Sequence, residues 1–208
     1  MRRMTAFVLC LLLSLGAGHA ARAADADPNL LKSVLAGLGN HQSVRASFVQ
    51  TRSNPALAQP QVSHGTLLFV LGRGMLWQTA QPYQETLALT GSHAARLDAQ
   101  GELQPIRDAR GVSQVSQMLQ SLLAGKPDDV LRQFDVQASG AAEKWTLHFA
   151  PKQSRVARIL SGIELDGDTF LEGIRIDMHD GAATDIRFSD TRDAGTLTAP
   201  EKSALGLP

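Results

Sequence analysis

Five consecutive apolar residues, Leu67-Leu68-Phe69-Val70-Leu71, are followed after Gly72-Arg73-Gly74 by three more, Met75-Leu76-Trp77. The glycine-flanked break reads as a turn, so the two runs form an antiparallel hairpin. Successive side chains of a strand point to opposite faces. Both faces of this hairpin must therefore avoid water, whereas an ordinary antiparallel strand alternates because one face is wet. Two arrangements achieve that. One is a central hairpin with core on one side and a helix on the other, the commoner burial of such runs. The other is a curved sheet whose concave face lines an apolar cavity roofed by helices.

The flanking sequence supplies both helices and strands. After Pro28, Leu30, Leu31, Val34, Leu35 and Leu38 share one helical face, and Gly39 or Asn40 stops the helix. From Ser43 the period becomes two, with Val44, Ala46 and Phe48 on one side and Arg45 and Ser47 on the other. Further strands are expected near 63–71, 74–80, 84–90, 94–98, 102–106, 134–138, 144–149, 156–165, 170–178 and 183–189, separated by Pro, Gly, Asn or Asp. Asp166-Gly167 and Asp180-Gly181 each predict an antiparallel hairpin. A second amphipathic helix is expected from Val112 to Ala124, where Val112, Val115, Met118, Leu119, Leu122 and Leu123 recur at helical spacing. Gly125-Lys126-Pro127 should end it, with a further helical turn or two between Asp128 and Phe134. No stretch reads as an interdomain linker and no internal repeat occurs, so an α+β chain of one domain is expected over 24–208.

Residues 1–23 have the order of a secretory signal: Arg2 and Arg3, an apolar run from Phe7 to Leu15, then small residues at Gly18, Ala20, Ala21 and Ala23. The run is too short to span a hydrocarbon core of about 30 Å as a helix. Cleavage is expected after Ala20 or Ala23, preferably Ala23. Cys10, the single cysteine of 208 residues, would leave with the peptide. An internal disulfide, a thiolate zinc site and an iron–sulfur site are excluded by that count. Losing Arg2, Arg3 and Arg22 takes the 20 basic residues to 17 against 20 acidic, a formal charge of −3, and electrostatics alone would not hold such a chain on an anionic bilayer. Neither this balance nor an aromatic content of 5% suits a nucleic-acid partner.

Catalytic and metal motifs are lacking. His41, His64, His93, His148 and His179 are not spaced to share a helical face around zinc. Asp166, Asp168, Asp177 and Asp180 lack calcium-loop spacing and read as turn residues. Ser161-Gly162 belongs to no nucleophile elbow, and Gly72-Arg73-Gly74 lacks the continuation of a phosphate loop. A carboxylate pair for glycoside hydrolysis would need a sugar platform, for which only Trp77, Trp145 and Tyr83 stand beyond the phenylalanines. No enzyme activity, metal or cofactor is expected.

Three stretches together resemble the LolA family of periplasmic lipoprotein carriers, and more closely a divergent branch of it. They are Ala46-Ser47-Phe48-Val49-Gln50; Gly65-Thr66-Leu67-Leu68-Phe69 leading through Met75-Leu76-Trp77 to Gln81-Pro82-Tyr83-Gln84-Glu85; and Leu122-Leu123-Ala124-Gly125-Lys126 followed by Phe134, Trp145, Leu147 and Pro151. The resemblance implies a strongly curved antiparallel sheet, an incomplete β-barrel, covered by helices that close an apolar cavity. It also implies a monomeric carrier that takes an acylated lipid or lipoprotein from an inner-membrane donor to an outer-membrane acceptor. Burying a methylene is worth about 0.8 kcal/mol, so a sixteen-carbon chain in water costs on the order of 12 kcal/mol and needs shielding. Phe48, Leu67, Phe69, Met75, Trp77, Leu87 and Leu89 are then expected to line the cavity, with Met118, Leu119 and Leu122 on its lid; the plain alternative is ordinary core. Where lipoprotein-carrying members place an Arg-Pro pair whose arginine latches the lid, this chain has Leu71-Gly72, with Arg73 nearby. The competing reading is a non-catalytic interaction module that docks on an envelope lipid-export complex.

Overall fold

The computed structural model describes residues 28–91, 93–98, 100–106, 110–123 and 127–208. The expected signal segment, Ala124 at the expected end of the second helix and Gly125-Lys126 of its stop lie outside the described residues, as do the side chains of Val112, Val115 and Leu123. The chain opens with α1 (Pro28–Gly39), followed by β1 (Ser43–Ser53), β2 (Gln61–Val70), β3 (Gly74–Gln81), β4 (Glu85–Thr90), β5 (His93–Leu97) and β6 (Leu103–Pro105). Helices α2 (Arg110–Leu123) and α3 (Asp128–Gln133) cross to β7 (Phe134–Ala141) and β8 (Lys144–Pro151). Then come α4 (Ser154–Ala157), β9 (Leu160–Gly167), β10 (Leu171–Met178), β11 (Ala183–Asp193) and α5 (Ala199–Ala204).

All eleven strands form one antiparallel sheet in the order β6-β5-β4-β3-β2-β1-β11-β10-β9-β8-β7. It consists of two meanders, β1 to β6 and β7 to β11, joined where β1 pairs with β11. Both Asp-Gly signals mark hairpins, β9 with β10 and β10 with β11. The strand expected over 156–165 begins instead at Leu160, because Ser154-Arg155-Val156-Ala157 turns helically first. β6 and β7 are the edges and do not pair with each other, so the barrel is incomplete.

Curvature follows from the helices. In a flat sheet β5 and β7 would lie nine strand spacings apart, roughly 43 Å. Yet α2 packs on β3 and β5, α1 packs on β7, and α1 and α2 touch each other. Two adjacent helices, each about 10 Å across, reach both arms only if the sheet curls around them.

Both arrangements open to the Leu67–Trp77 hairpin are present, one on each face. On the concave face, Val34, Leu35 and Leu38 of α1 and Met118, Leu119 and Leu122 of α2 join a core that includes Phe69, Met75, Leu89, Trp145, Leu147 and Phe149. On the convex face, Leu68, Leu76 and Ala88 are covered by Ala204 and Leu205 of α5. α5 carries a capping box, Thr198 with Glu201, and a proline in its first turn.

Candidate functional site: an apolar hollow under the helices

The β2–β3 register decides which side chains face the helices. Phe69 pairs with Met75 and Leu67 with Trp77, so these four share the concave face. β1 continues both rows, with Val44 opposite Phe69 and Ala46 opposite Leu67. β4 continues them on the other side, with Leu89 opposite Met75 and Leu87 opposite Trp77.

Between these rows and the helices lies a hollow of about 70 Å³. One water needs on the order of 10–15 Å³ by the same measure, so there is room for roughly five small groups. Val44, Ala46, Leu67, Phe69, Met75 and Trp77 form its floor. Leu38 of α1 and Leu119 of α2 form its roof. Phe170, Leu171, Ile174 and Phe188 close the side of the second meander, and His41 and Thr191 are the polar members of the lining. Carbon dominates this wall, and no cluster of His, Cys, Asp or Glu among the described residues could hold a metal ion. The arrangement suits non-covalent retention of an aliphatic group.

Aromatic contacts hold the wall in place. The Phe48 ring stacks on Trp77 at a centroid distance of 3.9 Å, and Trp77 meets Phe188 edge to face at 6.4 Å. Phe48 can occupy this position because Gly65 stands opposite it on β2; a Cβ there would lie 2.7 Å from Phe48 Cζ and collide with the Gln78 carbonyl. At the far side Trp145 Nε1 donates to the Asp168 carbonyl at 2.6 Å, and Asp168 Oδ1 accepts from the Phe170 N–H at 3.0 Å. The pinned turn sets Phe170 against His41, with centroids 4.3 Å apart, while His41 Nδ1 donates to Asp193 Oδ1 at 2.9 Å.

Of the ten residues expected at the site, Leu67, Phe69, Met75, Trp77 and Leu119 line the hollow. Phe48 lies behind Trp77, Leu89 is buried beside Met75, and Leu87 is half-buried opposite Trp77. Met118 and Leu122 are buried in the core on α2. Leu71 packs against the same core, whereas Arg73 is exposed at the turn. Phe170, Leu171, Ile174, Phe188 and Thr191 escaped the sequence reading, since nothing local shows that β1 pairs with β11. Val44 and Ala46 carried a signal in the period of β1, and Leu38 one in the face of α1.

An open antiparallel half-barrel wound around helices, with an apolar hollow between them, defines a carrier-type binding protein. The chain belongs to the LolA family: the family model for the outer membrane lipoprotein carrier protein LolA matches residues 39–201. No individually curated protein matches it in sequence. Among solved structures it is similar to a LolA superfamily protein from Nitrosomonas europaea, at 9% identity and a TM-score of 0.46, covering 81% of this chain and 95% of that one. It is also similar to a DUF1329 family protein from Desulfovibrio piger, at 13% identity and a TM-score of 0.48, covering 84% and 96%. A third is a chain of the Pseudomonas aeruginosa MucA/MucB complex, at 10% identity and a TM-score of 0.49, covering 81% and 59%. Among the described residues no helix is long and apolar enough to cross a membrane.

Proposed function

We propose that this chain is a periplasmic carrier that binds the acyl chains of a lipoprotein or another lipid in the hollow beneath α1 and α2, and moves that cargo between membranes. Residues 1–23 serve as its cleaved export signal, and 24–208 form a single carrier domain that works as a monomer without catalysis. The observation that carries this reading is the apolar hollow between the β1–β3 floor and Leu119 of α2. At about 70 Å³ it holds a few methylenes rather than a sixteen-carbon chain. Loading therefore requires α2 to lift from the sheet, which would bring the buried Met118 and Leu122 and the neighbouring Leu87, Leu89 and Phe48 within reach of a longer chain. Unbranched methionine at Met75 and Met118 adapts to cargo of irregular shape. An inner-membrane donor and an outer-membrane acceptor complete the route; with Leu71-Gly72 at the latch position, acylated lipids other than lipoprotein remain within its range.

Native mass spectrometry of protein extracted gently from the periplasm tests this. The expected spectrum shows an added lipid mass on a chain beginning at Ala24. Ala46→Leu, on the floor of the hollow, should reduce that mass while leaving far-UV circular dichroism native. A clean unliganded mass from the unaltered chain defeats the carrier reading and favours the docking module.

A further inference from the structure

Among the described residues, five of the six exposed large apolar side chains gather at one rim of the sheet, and the sixth, Val49, lies within β1. Leu57 lies in the β1–β2 loop, Val62 at the start of β2, Tyr83 in the β3–β4 turn, Leu103 opposite Leu97, and Ile159 just before β9. The registers place all five at the same strand ends: Ser53 pairs with Ala183, Arg52 with Gln61, His64 with Gln81, Thr86 with Leu97, and Met178 with Leu160. The hollow occupies the half of the sheet nearest the other rim, where the β2–β3 and β9–β10 turns lie.

Ile159 is the best defined of the five. It is 62% exposed, yet its N–H donates to Val156 O and its carbonyl accepts from the His179 N–H, both within 2.9 Å. The backbone thus holds an isoleucine out in solvent, at a standing hydrophobic cost. From Lys152 to Ile159 the chain carries Lys152, Arg155 and Arg158 and no acidic residue. Lys152 is engaged by Asp135 and the Leu131 carbonyl, while Arg155 within α4 and Arg158 at its C-terminal end are exposed. The adjoining β10–β11 turn adds His179 and Asp180, the latter accepting from the Ala182 N–H.

We infer that the α4 corner of this rim is a landing point for an anionic lipid bilayer: Ile159 inserts at the headgroup boundary while Arg155 and Arg158 meet lipid phosphates. An apolar wedge flanked by cations matches the interfacial layer, where greasy and charged groups are satisfied together. A polypeptide partner would more often bury the cations against fixed carboxylates. Landing this way keeps the hollow's end of the sheet turned away from the lipid surface, free for a partner. The contact is independent of the proposed cargo site.

Flotation of the purified chain with vesicles of equal parts phosphatidylglycerol and phosphatidylcholine, against pure phosphatidylcholine, tests the inference. Binding should require phosphatidylglycerol and fall with added salt. One arginine near an anionic surface is worth about fivefold in partition, so the paired Arg155→Gln/Arg158→Gln change should weaken binding by about 25-fold. Ile159→Ser should weaken it by about tenfold. All three positions are exposed, so circular dichroism and lipid retention should be unchanged. Ala46→Leu, which fills the hollow, should still float, which separates landing from cargo binding. Equal binding to neutral vesicles, or anionic binding that survives all three substitutions, overturns the assignment. So does a chain that ignores vesicles and self-associates in sedimentation through the same residues.

Discussion

Arg45 on β1 and Glu201 in α5, 156 residues apart, meet in a two-point ion pair, with Nη1 to Oε1 at 2.6 Å and Nη2 to Oε2 at 2.8 Å. Their side chains are only 26% and 14% exposed. The Arg45 hydrogen bonds, joined by the Thr198 N–H, hold the Glu201 carboxyl at about 2 against an ordinary 4.5. A carboxyl depressed in the folded state stabilises the fold fully above its unfolded value and loses that contribution as pH falls through the folded one. Glu201→Gln should therefore lower stability by about 2 kcal/mol near neutrality. Calorimetric melting of both proteins should converge as pH drops from 4.5 to about 2. A difference that persists at pH 2 would mean the pair does not hold α5 in place.

Gly65 should tolerate no side chain. A Cβ would press on Phe48 and on the Gln78 carbonyl, so Gly65→Ala displaces the ring that backs Trp77. Overpacking of this kind costs about 1–3 kcal/mol. The expected readout is a lower melting temperature together with a changed near-ultraviolet circular dichroism band from Trp77.

The two tryptophans should report cargo differently. Trp77 lines the hollow, whereas Trp145 is buried with its indole N–H committed to Asp168. A brominated fatty acid should quench part of the fluorescence, and Trp77→Phe should abolish that quenching. Quenching confined to Trp145 would move the cargo to another part of the sheet.

Filling the hollow should separate binding from stability. Ala46 sits on its floor opposite Leu67, and Ala46→Leu places three further carbons where a ligand would lie. Retained lipid should fall in native mass spectra with the melting temperature unchanged or raised. A drop of several degrees would show a wall too rigid to receive an inserted group.

Local signals in the sequence specify each meander. Period two in β1, the doubly apolar Leu67–Trp77 hairpin and the two Asp-Gly turns give strands, faces and neighbours, because each depends on residues a few positions apart. That suffices for Leu67, Phe69, Met75 and Trp77 to share a wall once the Gly72-Arg73-Gly74 turn keeps register. Phe170, Phe188 and Thr191 were not legible, because they reach the hollow through the β1–β11 pairing between strands about 140 residues apart, which no spacing encodes. α5 was missed because its apolar face is only Ala204 and Leu205. The helical turn at Ser154–Ala157 was hidden in a stretch whose β-branched and apolar residues also suit a strand.

The seam between β1 and β11 has a bearing on how the chain is made. β1 is among the first segments synthesised, but one of its two ladders stays vacant until almost the last residues arrive. Until the second meander and α5 follow, the early meander has nothing to cover Leu68 and Leu76 and no second arm to complete its interior. The β1–β11 ladder is therefore the contact that completes the sheet.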